Sequence, residues 1–229
     1  MTSFFVFVAV LIYPTYFCII KIQCMNNSKE HWEKIYSTKT SQEVSWTQDV
    51  PETSLDFVHN FNLQKDAAII DVGGGESKFV DFLLDEGFTN ITVLDISEEA
   101  LKKTQLRLGE KASHVKWIVS DVMEFKSLQK FDVWHDRATF HFLITKEQIE
   151  RYVEVAAKSV KDNGFLAIGT FSENGPTKCS GLAIKQYSEQ QMEKTLTYYF
   201  KKIRCITEDH ITPFHTVQNF LFCSFKRAA

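Results

Sequence analysis

The stretch Ala67-Ala68-Ile69-Ile70-Asp71-Val72-Gly73-Gly74-Gly75-Glu76-Ser77 constrains this chain more than any other. Its apolar run reads as a buried parallel strand. An acid and three glycines follow, then a segment with helical spacing. Glycines at such a junction let the backbone turn tightly and approach a ligand closely. Twenty positions past Gly75, a second apolar run, Ile91-Thr92-Val93-Leu94, ends in Asp95. An acid at the tip of the second strand is placed to accept hydrogen bonds from a ribose diol. The pattern predicts a nucleoside cofactor on a doubly wound α/β sheet.

Two details bear on which nucleoside. A dinucleotide fingerprint G-x-G-x-x-G wants Gly or Ala at its last position for close helix packing. Counted from Gly73, that position is Lys78. The acid ahead of the glycines, Asp71, would also repel a pyrophosphate. It suits a cofactor carrying an ammonium and a sulfonium, and S-adenosylmethionine has both, with a ribose for Asp95.

The chain thereby resembles the class I S-adenosylmethionine-dependent methyltransferases, over about Lys29 to Arg227. In their first motif, D/E-x-G-x-G-x-G, Asp71, Gly73 and Gly75 match and Ser77 replaces the last glycine; Gly74 lies within it. The second motif matches Val93-Leu94-Asp95-Ile96 and the third Val119-Ser120-Asp121-Val122. The resemblance implies a seven-stranded Rossmann-like sheet with the last strand antiparallel. It implies cofactor contacts from the first-motif residues, from Asp95, from Ile96 against the adenine, and from Asp121 and Val122. Asp121 would accept from the adenine amino group.

Element signals agree. Phe79, Val80, Leu83 and Leu84 make a helical stripe ending at Gly87, and Ser97 caps a helix with Glu98 and Glu99 in its first turn. Val115–Val119, Phe131–Trp134 and Phe165–Thr170 read as further strands, the last entered through Asn163-Gly164. Thr145-Lys146-Glu147-Gln148 and Ser188-Glu189-Gln190-Gln191 are capping boxes. Lys202–Ile211 and Val217–Phe225 read as a closing antiparallel hairpin around Pro213. The connection from Phe171 to Tyr187 is long and falls where loops shape the acceptor pocket in this fold.

At 229 residues the chain fits one α/β domain, assigned to residues 26–229. A formal net charge of −3 offers no basic face for nucleic acid, so the expected acceptor is a small molecule or a protein. Five cysteines without C-x-x-C or metal spacing suggest no metal. Cys179, Cys205 and Cys223 read as reduced thiols, which favours a reducing, cytoplasmic setting. Residues 1–25 form an apolar leader whose run Phe4–Ile20 carries no charge. It is either a signal, a short membrane anchor whose trailing cations would leave the domain facing the cytosol, or a dispensable extension ahead of Met25.

The chemistry is expected after the fourth strand, at His135-Asp136-Arg137-Ala138-Thr139-Phe140-His141. Asp136 is the candidate for the reacting end, holding the methionine ammonium or accepting a proton. His135 or His141 would be a general base. The alternative is an Asp136–Arg137 structural ion pair with satisfied histidines. The segment resembles the W-D-R-G/A pattern of thiol and thiopurine methyltransferases, with a histidine inserted. It also resembles the D-K-G-T-x-D of elongation-factor lysine methyltransferases, with His141 at the final acid. The latter branch has an amino-terminal W-x-x-x-Y and a later tryptophan, echoed by Trp32, Tyr36 and Trp46. That resemblance implies a segment folded over the cofactor, whose aromatic faces attract a cation. The resulting expectation is a methyltransferase for a small nucleophile. A protein-lysine methyltransferase and a non-catalytic S-adenosylmethionine-binding module are the alternatives.

Overall fold

The computed structural model describes residues 28–228, so the leader and the readings attached to it lie outside the described residues. The chain opens with helix α1 over 28–38 and then forms α2 (Glu52–His59), β1 (Ala68–Val72), α3 (Phe79–Asp85) and β2 (Asn90–Asp95). Next come α4 (Glu98–Leu108), β3 (Val115–Val119), β4 (Phe131–Arg137), α5 (Lys146–Ser159) and β5 (Val160–Phe171). A small hairpin follows, β6 (Lys178–Cys179) with β7 (Leu182–Ala183), then α6 (Glu189–Leu196), β8 (Phe200–Ile211) and β9 (Val217–Arg227).

The seven-stranded sheet has the order β3-β2-β1-β4-β5-β9-β8. Strands β1 to β5 pair in parallel, and β9 is inserted antiparallel between β5 and β8. The doubly wound sheet with its last strand antiparallel is thus present. β1 is buried along its whole length, as a central strand covered on both faces must be. Strand alternation sorts its side chains into two cores. Ile70, Val72 and Trp134 pack with Tyr152 and Val153 of α5 on one face. Ile69, Val93 and Val133 pack with Phe79 and Leu83 of α3 and Leu55 of α2 on the other.

The expected caps hold. The Ser97 hydroxyl accepts from the amide of Ala100, and Thr145 and Ser188 both complete capping boxes. Asn163 (φ 63°) does turn the chain, but inside a longer strand: the β4–β5 register shifts between the pairs Phe131–Val160 and Val133–Phe165. In the long connection after β5, Ser180 and Gly181 both take positive φ, 50° and 79°. Such a two-residue turn closes a hairpin, and it makes β6 and β7.

One reading is corrected. Cys205 and Cys223 are not reduced thiols but a disulfide, joining two residues that face each other in the β8–β9 register. Cys179 is the free cysteine among the described residues and is buried. The cysteines therefore give no support to a reducing compartment. No described helix is long and apolar enough to cross a membrane.

Candidate active site

The carboxyl ends of β1 to β4 open on one cleft beneath α1, with about 930 Å3 free of protein atoms, open solvent included. Its floor is the glycine turn after β1. Gly73 (φ 67°) donates its amide to the Leu94 carbonyl at 2.7 Å, which ties the turn to β2. A Cβ at Gly73 would stand 1.7 Å from Thr139 Oγ1, and one at Gly74 would stand 2.6 Å from Asp71 Oδ2. The turn is therefore glycine because both walls close on it. Ser77 Oγ accepts from the Phe79 amide at 3.1 Å at the start of α3, and Ser77 lines an adjoining cavity rather than this cleft.

Asp95, Ile96, Asp121 and Val122 line one end of the cleft. Asp95 is 5% exposed, and its Oδ1 accepts from the Ser97 amide at 2.8 Å. Burial pushes its carboxyl up to about 7, against the pull of the Ser97 and Gly75 amides; Asp71 and Glu33 push the same way as burial. Such a carboxylate is well matched to neutral hydroxyl donors. Asp121 Oδ1 accepts from the Met123 amide at 2.8 Å.

Helix α1 is the cover. Trp32 and Tyr36 line the cleft with Trp46, and the Trp32 ring meets Trp46 at 5.7 Å and Phe142 at 5.1 Å, both edge-on. The cover is pinned by Glu33, which the sequence reading passed over. Its carboxylate accepts from Ser97 Oγ at 2.9 Å and from the Glu98 and Glu99 amides at 2.8 and 3.1 Å. These are the open donors at the N-terminus of α4, where an anion is favoured. Partial burial raises the Glu33 carboxyl, but these donors and Lys29 outweigh it and hold it below the usual range. Glu33→Ala should cost α1 about 1.5–3 kcal/mol of docking, the worth of hydrogen bonds to a charged group. Limited proteolysis is the check: cleavage within 28–38 should accelerate while the sheet stays protected.

At the opposite end a buried carboxylate, Asp71, and a half-buried guanidinium, Arg137, border this adjoining cavity. Asp71 is 2% exposed, and among the described residues its Oδ2 has no hydrogen-bond partner. Arg137 donates Nη1 to the Trp46 carbonyl at 2.8 Å and lies over the Phe220 ring, yet its buried Nε and Nη2 find no partner among the described residues. Burial pulls the guanidinium down to about 10. Arg137 lines both cavities. An orphaned carboxylate oxygen and an orphaned guanidinium edge are complementary to the ammonium and carboxylate of an α-amino acid.

Asp136 and His141, selected for the chemistry, are not brought to the cleft. Asp136 is fully buried on the α5 face of the sheet, where it accepts from Tyr152 Oη at 2.6 Å and from the Thr139 and Phe140 amides at 3.0 and 3.2 Å. Burial pushes its carboxyl up to about 6, partly offset by those bonds. It does not pair with Arg137, because neighbouring residues on a strand face opposite ways. His141 is fully buried, stacked 4.6 Å from Phe171, with neither ring nitrogen bonded among the described residues. Burial, then the Arg137 charge, drives it down to about 3, so it is a neutral ring well away from solvent. His135 lies on the face opposite Asp136, with Nδ1 2.7 Å from Asp71 Oδ1 and Nε2 2.9 Å from Ser54 Oγ. Cys179 lines the cleft, and burial pushes its thiol up to about 12.

A doubly wound sheet with an acid-tipped second strand, a glycine turn and a zwitterion-matched recess defines the Rossmann-like methyltransferase class. The family model for the methyltransferase domain matches residues 69–164. Residues 69–164 thus carry a methyltransferase domain, the fold is that of the class I S-adenosylmethionine-dependent enzymes, and S-adenosylmethionine is the cofactor. It is similar to EEF1A lysine methyltransferase 2 of Danio rerio, 26% identical over 156 residues, covering 62% of this chain and 67% of the relative. The human protein of that name matches at 26% over 62% of this chain and 66% of its own length. Among solved structures, Burkholderia thailandensis 1,6-didemethyltoxoflavin-N1-methyltransferase shares the fold, with TM-score 0.65 at 15% identity over 96% of this chain and 93% of that one. N-methyltransferase NodS of Bradyrhizobium japonicum with S-adenosyl-L-homocysteine has TM-score 0.58 at 16% identity, covering 80% and 90%.

Proposed function

We propose that this enzyme methylates a lysine side chain of a protein acceptor. The observation that carries the reading is the aromatic cleft under α1, walled by Trp32, Trp46, Tyr36 and Phe142. Rings of this kind attract an amine-bearing stem and shed its water. The likeness to lysine methyltransferases supports it, as do the W-x-x-x-Y element and the Asp136-Arg137-Ala138-Thr139 echo.

In this reading the cofactor supplies an activated methyl group on a sulfonium. Asp95 accepts from the ribose hydroxyls, Ile96 and Val122 pack against the adenine, and Asp121 accepts from its amino group. Asp71 takes the ammonium of the methionine end and Arg137 its carboxylate, over the turn Gly73, Gly74 and Gly75. Trp32 covers the bound cofactor, and Ser77 lines the recess at its methionine end. Asp136 and His141 shape the floor and wall, without touching reacting atoms. The chain's task at the reacting end is to hold an amine nitrogen in line and dry. The carboxylates that line this cleft, Asp95 and Asp121, both lie at its adenosine side. The lysine therefore sheds its proton to solvent on entry, because loss of its water shell in the cleft disfavours the charged form.

A second reading, a small amine or other small nucleophile, is favoured by one contact. His31 Nε2 lies 3.4 Å from Ser180 Oγ, which draws α1 toward the β6–β7 hairpin over the Cys179 wall. Tritium-labelled S-adenosylmethionine with whole lysate separates the two. The expected result is label in protein, recovered as methyl-lysine after hydrolysis. Label confined to the small-molecule fraction would overturn the lysine reading in favour of the second. Binding of S-adenosylmethionine with label in neither fraction and no S-adenosylhomocysteine formed would return the chain to a binding module.

A further inference from the structure

Ser54, His135 and Asp71 form a continuous hydrogen-bonded chain across three elements, from α2 through β4 to β1. All three are buried, at 2%, 3% and 2% exposure. The order Ser–His–Asp is that of a hydrolytic triad, but Ser54 lines neither cavity and has no substrate-facing surface. Nucleophilic chemistry is therefore excluded, and the chain must act through its free end. That end is Asp71 Oδ2, bare of partners and beside the glycine turn.

We propose that His135, itself held by Ser54, is the positioning residue that orients Asp71 toward the amino-acid end of the cofactor. The proposal rests on the assignment of Asp71 to the methionine ammonium. A carboxylate at the end of a strand, next to three glycines, has little to fix its plane. Here the bond of Oδ1 to His135 Nδ1, at 2.7 Å, fixes it. The imidazole is in turn packed against Phe79 of α3 at 4.1 Å between ring centres and tethered at Nε2 by Ser54. The Asp71 carboxylate can only accept, so in the neutral imidazole it sets the tautomer: Nδ1–H donates to Asp71 and Nε2 accepts from the Ser54 hydroxyl. One oxygen is spent on the protein, and the other is left aimed at the ligand. This explains why a histidine stands between Trp134 and Asp136, where the resembling W-D-R-G/A pattern has none.

Two ligands separate this role from a merely structural one. S-adenosylhomocysteine carries the amino acid; 5′-methylthioadenosine has the same adenosine and thioether without it. In calorimetry, His135→Gln, whose amide reaches toward Ser54 but not Asp71, should weaken S-adenosylhomocysteine about tenfold, the worth of one well-aligned charge-assisted hydrogen bond. It should leave 5′-methylthioadenosine unchanged. His135→Asn, whose amide nitrogen stands near the place of Nδ1, should retain affinity for both. Parallel losses for the two ligands, or equal losses in the Asn and Gln variants, would overturn the proposal. Nitrogen NMR of the wild-type imidazole tests it without a substitution. The expected tautomer is Nδ1–H, with a shift on adding S-adenosylhomocysteine and none with 5′-methylthioadenosine. A stable Nε2–H tautomer, or equal shifts with both ligands, would sink it. Equal wild-type affinity for the two ligands would instead remove Asp71 from the amino-acid end.

Discussion

Asp95→Ala should cost the enzyme about 1.5–3 kcal/mol of cofactor affinity, roughly 10- to 150-fold, the scale of charge-assisted hydrogen bonds to a diol. The pH dependence gives a sharper test. The Asp95 carboxyl stands at about 7 because burial, reinforced by Asp71 and Glu33, disfavours its charge. Hydroxyl donors favour the ionised form, so the ligand lowers this value and binding expels a proton below it. Affinity should therefore rise with pH up to about 7 and level off above. Asp95→Asn should flatten that rise while keeping the shape of the side chain. Calorimetry across pH 5.5–8.5 would measure both effects. A mutant with wild-type affinity and an unchanged pH profile would remove Asp95 from the site.

Asp136→Ala should act on the fold instead. Three donors converge on this carboxylate, and truncation strands the Thr139 and Phe140 amides and the Tyr152 hydroxyl in a dry core. Unsatisfied buried groups cost about 1–3 kcal/mol each, so a net loss of about 2–4 kcal/mol is expected. In a domain of this size that lowers Tm by roughly 5–15 °C. Cofactor affinity of the protein that remains folded should hold. The sign of the pH effect is also fixed. Folding raises this carboxyl to about 6 from its ordinary value of 3.8, so its stabilising contribution is full below about 4 and is lost as pH climbs through 6. Asp136→Asn should remove that part of the decline. Loss of cofactor binding at unchanged Tm would return Asp136 to the reacting end.

Much of the cofactor cleft was legible because it is local. Asp71, the glycines, Asp95 and Asp121 each sit where an apolar run stops, and strand ends in a parallel sheet converge on one edge. The Asp136–Arg137 ion pair, the alternative to a site role for Asp136, fails for an equally local reason. Counting alternation from the buried Trp134 sends Asp136 to the same face and Arg137 to the other, so they cannot pair. Glu33 was out of reach: its partners lie 64 to 66 positions away, and nothing in its neighbourhood marks it as a cap for another helix. The disulfide was nearly readable. Pairing Ile211 with Val217 about the Pro213 turn also sets Cys205 opposite Cys223. The hairpin was seen, but its register was not carried up the strands. The burial of His141 had no sequence signal, because a histidine among phenylalanines suits a pocket wall as well as a core.

The strand order sets the sequence of assembly. β9 follows β8 along the chain yet lies between β8 and the rest of the sheet. β8 makes its sheet pairing with β9, so it has no seat on the parallel strands when it leaves the ribosome. It must wait, with its apolar positions uncovered, until residues 217–227 arrive to pair with β5. The connection is a hairpin, so the two strands arrive as one unit and the wait is only a few residues long. Completion of the sheet is thus a late, long-range event relative to the β1–β4 half that carries the glycine turn. That half stands to form a cofactor cleft before the molecule has closed its far edge.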